Sequence, residues 1–68
     1  MSERLTREQI LLREELYRLA YTHRASHIDQ RRQSIFKRDV HGWQELKAGE
    51  VEWRRWDHNY LPMSTEVV

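Results

Sequence analysis

The sequence predicts an all-α fold, a small helical hairpin closed by an aromatic C-terminal segment. Three observations carry this expectation. The first forty residues hold neither glycine nor proline, the strongest breakers of helix, and Gly42, Gly49 and Pro62 all come later. An amphipathic pattern of helical period opens the chain. Three tryptophans and three tyrosines in 68 residues supply the bulk to close a small core.

The first helix is expected over about 6–21. Thr6-Arg7-Glu8-Gln9 has the form of a capping box, in which the Thr6 hydroxyl and the Gln9 amide satisfy two early backbone donors. Leu12, Leu16 and Leu19 follow 4-then-3 spacing, with Leu5 one heptad before Leu12, as in a coiled-coil seam. Ile10, Leu11 and Tyr17 spill around that seam. Glu3–Arg7 and Glu14–Arg18 add acid-before-base pairs at i,i+4.

Thr22–Ser26 reads as a connection, although no residue in it forbids helix. Ser26-His27-Ile28-Asp29 reads as a second cap, so a second helix is expected over 27–48, with a possible break at Gly42. Its apolar face is thin: Ile28, Ile35, Phe36 and Val40. Gly49 is the stronger stop, with Lys47 suitably placed in the last turn. Beyond it, Val51-Glu52-Trp53-Arg54-Arg55-Trp56-Asp57-His58-Asn59-Tyr60-Leu61-Pro62 fits either period. It is expected as a short helix or irregular wrap that folds back with Trp53 inward and Arg54 and Arg55 at the surface. Residues 1–62 then form one helical domain, and 63–68 a tail that frays unless something holds it.

Bulk properties bound the role. A chain this short buries only about 60% of its unfolded surface, and without cysteine it has no disulfide or thiolate metal site to stabilise it. Regular packing, self-association or docking must compensate. The net charge of +1 argues against a nucleic-acid binder that relies on bulk charge. The charge is unevenly placed, however. Residues 23–48 carry six Lys/Arg against three Asp/Glu, and 49–68 carry two against four. Met1-Ser2-Glu3-Arg4 does not begin a signal peptide, and no apolar run approaches the ~18 residues of a membrane span, so a cytoplasmic location is expected.

Chemistry is sparsely signalled. His23 and His27 are four apart, a spacing that lets two imidazoles share a metal on an unbroken helix. The connection expected between them spoils it, and no metal or cofactor is expected. Ser26 beside His27 should point away from it, so no nucleophile–base pair is expected, nor an enzyme. Arg24, Arg31 and Arg38 recur at heptad spacing, with Lys37 alongside. On a helix they form a row that could follow phosphates, while Trp53 or Trp56 stacks on a base.

Two functional expectations follow. The first is a non-enzymatic interaction or structural accessory protein. It would pair with itself as a homo-oligomer, or dock on a larger protein, through Leu12, Leu16, Leu19, Trp43, Trp53, Trp56 and Tyr60. The alternative is an anion-binding module for nucleic acid or a nucleotide, using Arg24, Arg31, Lys37 and Arg38.

Overall fold

The computed structural model describes residues 6–68, which form one helix and a five-stranded antiparallel sheet. Helix α1 spans Arg7–His23. The strands are β1 (His27–Asp29), β2 (Ser34–Asp39), β3 (Gly42–Lys47), β4 (Arg54–Arg55) and β5 (Thr65–Val67), in the order β4-β3-β2-β1-β5. The architecture is therefore α+β, not an all-α hairpin, and the second helix over 27–48 does not exist. Leu5 and the Glu3 partner of Arg7 lie outside the described residues.

Helix α1 begins with the capping box in place: the Gln9 amide donates to Thr6 Oγ1 (3.1 Å) and the Thr6 amide to Gln9 Oε1 (2.9 Å). It ends at Arg24, which turns left-handed (φ 56°). The Ala25 amide donates to the Ala20 oxygen (2.8 Å) and the Arg24 amide to that of Tyr21 (3.3 Å). This is a Schellman closure, normally built on glycine.

Turn chemistry replaces the expected second helix. Asp29 Oδ1 accepts from the amides of Arg31 and Arg32, so this carboxylate shapes the turn after it rather than capping a helix around it. Ten residues on, Asp39 Oδ1 accepts from the His41 amide, and Asp39 pairs with Gly42 across the β2–β3 hairpin. Gly42 closes this turn at φ 109°, a conformation that favours glycine. Val40, an apolar member of the expected helical face, stands 94% exposed at the tip.

Strand pairing assembles what helical periodicity could not. Ile28 lies opposite Ile35, and Ile35 opposite Leu46. These three receive Leu16 and Ala20 of α1, and Tyr17, Leu19, Ala25, Ala48 and Trp53 pack around them. Phe36 points to the other face, where Trp56 covers it edge-on (centroids 5.3 Å apart). Because β4 and β5 are opposite edges of the sheet, residues 56–64 must cross it, and they cross the face away from α1. Both faces are thus covered, so β2 shows consecutive buried residues, Ser34, Ile35 and Phe36, instead of strict alternation.

The tail is held as an edge strand. Glu66 accepts from Arg13 Nη2 (2.7 Å), from the Tyr17 hydroxyl (3.3 Å) and from the Gln30 amide. The Val68 amide donates to the Ser26 oxygen (2.9 Å).

Candidate functional site

Helix α1 outruns the sheet. Seventeen residues at 1.5 Å rise make a rod of about 26 Å. Its first link to the sheet is Arg13 with Glu66, and its first buried side chain is Leu16. Residues 7–12 are all exposed. This leading part nevertheless carries Ile10, Leu11 and Leu12, exposed by 45%, 58% and 39%. Three consecutive residues spaced 100° apart put aliphatic surface around most of the helix. Beside them lies a cleft of about 330 Å³, walled by Gln9, Leu12, Arg13 and Leu16 of α1 and by Gln30, Arg31 and Gln33 of the β1–β2 turn.

The opposite face of the sheet is polar and aromatic. Arg32 makes a two-pronged pair with Glu45 (2.6 and 3.1 Å), and Ser34 Oγ donates to the same carboxylate (2.7 Å). Burial pushes the Glu45 carboxyl up, but the Arg32 and Ser34 hydrogen bonds outweigh it and hold the group below its ordinary range. The Arg32 guanidinium also lies over the Trp56 ring, 4.8 Å from its centroid. Ser64 Oγ donates to Asp29 Oδ1 (2.8 Å) and ties the crossing segment down at its far end. Phe36, Trp56, His58 and Tyr60 form a run of rings with centroids 5.1–5.3 Å apart, from the interior to the surface. Where this run meets the β2–β3 hairpin, Arg38, His41, Gly42 and Trp43 face residues 55–59 across a second cleft of about 390 Å³.

The residues named from sequence as partner contacts fall in three places. Leu16 is in the core, and Leu19 and Trp53 are half-buried around it. Trp43 and Trp56 lie on the far face, with Tyr60 exposed at the end of the ring run. Leu12 alone belongs to the projecting helix. Leu16 therefore belongs to the core rather than to an exposed contact surface.

The expected basic row is dispersed. Arg24 caps α1, Arg31 sits in the β1–β2 turn, and Lys37 lies over Trp53 (4.3 Å) on the helix side. Arg38 is on the other side, 6.0 Å from the Trp43 centroid. Alternation along a strand separates neighbours that a helix would have kept on adjoining faces.

His23 and His27 are parted by the left-handed Arg24 and contact different indoles, Trp53 and Trp43. No cluster of three or more metal-ligating side chains occurs among the described residues. Ser26 and His27, expected to point apart, instead share a hydrogen bond between Oγ and Nδ1 (2.8 Å), because the chain between them is extended rather than helical. Among the described residues no carboxylate orients that imidazole. No helix there is long and apolar enough to cross a membrane.

Comparisons with protein families, with curated proteins and with solved structures found no match for this chain.

Proposed function

We propose that this protein is a small, non-enzymatic interaction module of the cytoplasm that pairs with a second copy of itself through the projecting part of α1. One observation carries the reading: Ile10 and Leu11 stand in water on a helical turn that precedes the first link to the sheet, and Leu12 beside them is 39% exposed in the wall of the cleft. Three adjacent aliphatic side chains exposed on one turn make a patch that association can cover.

A second copy supplies that cover. Glu8 and Glu15 flank Leu12 on its own face of the helix, while Arg13 and Arg31 rim the cleft beside it. An antiparallel pairing centred near Leu12 lays the aliphatic patch of one copy against that of the other with acids of both copies at its border, so apolar burial rather than charge drives it. Both copies present the same patch, as two-fold symmetry requires. Burying the exposed half of an aliphatic side chain is worth about 1 kcal/mol. The three from each copy together reach only the lower part of the roughly 4–15 kcal/mol cost of association. The dimer should therefore depend on concentration.

Sedimentation equilibrium over a concentration series tests the pairing, with Leu11→Glu as the disrupting variant. Leu11 is outside the core, so the variant should keep its circular dichroism and melt. The expected result is a dimer that builds with concentration in the natural chain and a monomer in the variant. A natural chain that stays monomeric throughout, or a variant that pairs equally well, would overturn the reading.

A further inference from the structure

The cleft on the far face has no part in the proposed pairing. The geometry points to a binding site there for a nucleotide unit, an aromatic base joined to a phosphate, with Arg38 holding the phosphate and Trp43 carrying the base.

The charge comes first. The ion pairs among the described residues engage Arg13, Arg32, Arg54 and Arg55. Arg38 is exposed and has no carboxylate within ion-pair distance among those residues. The one acid in the cleft wall, Asp57, is already held by Arg55 at 3.0 Å. Asp39, next to Arg38, is engaged by the Gln44 amide and the His41 backbone. A guanidinium that rests against Trp43 with no carboxylate partner among the described residues, at the mouth of a concavity, is suited to a phosphate, which accepts its parallel N–H donors.

The shape of the site comes second. Arg38 and Trp43 are direct partners across the β2–β3 hairpin. Strand register, rather than a loop, therefore sets the 6.0 Å between guanidinium and indole centroid. The Trp56 amide donates to the Trp43 oxygen (2.9 Å), which fixes the opposite wall to the same strand. That wall brings the Trp56 and His58 rings, and Asn59 adds an amide able to meet a base edge. A volume of about 390 Å³ lies near the small end of ligand sites, the scale of one nucleotide rather than a folded partner. Rings beside one open cation match how single strands and nucleotides are held, by stacking on the base and charge on the phosphate.

The test is a titration of the full ¹⁵N-labelled chain, followed by amide and indole chemical shifts, with two probes: uridine monophosphate and a short oligothymidylate. Shifts are expected at residues 38–43 and 55–59 and at the Trp43 indole. A fourfold rise in salt should weaken strand binding about threefold for one phosphate contact and about sevenfold for two. Arg38→Gln, at an exposed position, should leave the spectrum folded and reduce affinity for both probes at least fivefold. Trp43→Leu should do the same, and if it unfolds the chain Arg38→Gln still decides. Binding of both probes supports the site and makes a free nucleotide a sufficient ligand. Binding of the oligomer alone supports it and assigns a single strand. Shifts elsewhere, no shifts with either probe, or affinity unchanged in Arg38→Gln would overturn it. Leu11→Glu should bind both probes like the natural chain, so this site and the pairing of α1 can fail separately.

Discussion

Replacing Glu45 with glutamine tests whether the far face of the sheet is a built layer or a solvated surface. The Glu45 side chain is 7% exposed and accepts three hydrogen bonds, two from Arg32 and one from Ser34. Glutamine keeps the shape but removes the charge, and its amide turns two donors toward a guanidinium that only donates. Breaking a buried pair from one side costs about 3–5 kcal/mol. Arg32 is 37% exposed and regains water when released, which lowers the expected cost to about 2 kcal/mol. Urea unfolding followed by tryptophan fluorescence reads this directly. With a slope near 1 kcal/mol per molar, typical of the smallest domains, the midpoint should fall by about 2 M.

The same variant carries a pH signature. The Glu45 carboxyl is held below its ordinary value of 4.5 in the folded chain. Its contribution is therefore complete above the unfolded value and is lost as pH falls through the lower folded one. The gap between natural chain and variant should be full at neutral pH and should narrow below about 4.5. A midpoint unchanged at neutral pH, or a gap that persists undiminished in acid, would refute the placement of Glu45 under Arg32.

Three further outcomes follow from the fold. Arg24→Gly should raise stability by about 1 kcal/mol, since Arg24 is held left-handed at φ 56° where glycine meets no steric cost; an unchanged or lower melting temperature would contradict the Schellman closure. Leu16→Ala should cost about 3–5 kcal/mol from a site against Ile28, Ile35 and Leu46, and Leu11→Ala less than about 0.5 kcal/mol in the monomer; equal losses in chemical unfolding would undo the division of α1 into packed and projecting parts. Glu66→Ala should release β5, so that the Val68 amide exchanges much faster in hydrogen exchange while Leu46 in β3 keeps its protection; slow exchange at Val68 would show that backbone pairing alone holds the tail.

Part of the fold was legible because its causes are local. The capping box of Thr6 and Gln9 and the helical spacing of Leu12, Leu16 and Leu19 each act within a few residues, and α1 starts where they place it. The hairpin was also written locally, but in a code open to two readings. Asp39-Val40-His41-Gly42 is a turn with aspartate first and glycine last, and Asp29 begins another. Read as caps and stops, the same residues suggest a helix. The thin apolar face over 27–40 was the sign that the helical reading was poor: Ile28, Ile35 and Phe36 divided between two faces of a sheet are well used, whereas on one helix they are too few. For the candidate surfaces, Leu12 and Arg38 are visible as residue types, but Ile10 and Leu11 fall outside the heptad seam, and His41, His58 and Asn59 have no common spacing to unite them.

By itself the sequence determined the first helix and the aromatic and basic material available for contact. Only the tertiary structure decided the rest. Which side of a strand a residue occupies is set by its register with partners far along the chain, as Ile28 with Ile35 and Ile35 with Leu46. That register carried Lys37 to one face and Arg38 to the other, sent residues 56–64 across the sheet over Phe36, and left the opening turns of α1 beyond the sheet's reach. Helical periodicity is a property of neighbours and can be read along the chain. Sheet faces are a property of pairings, and they exist only once distant segments have met.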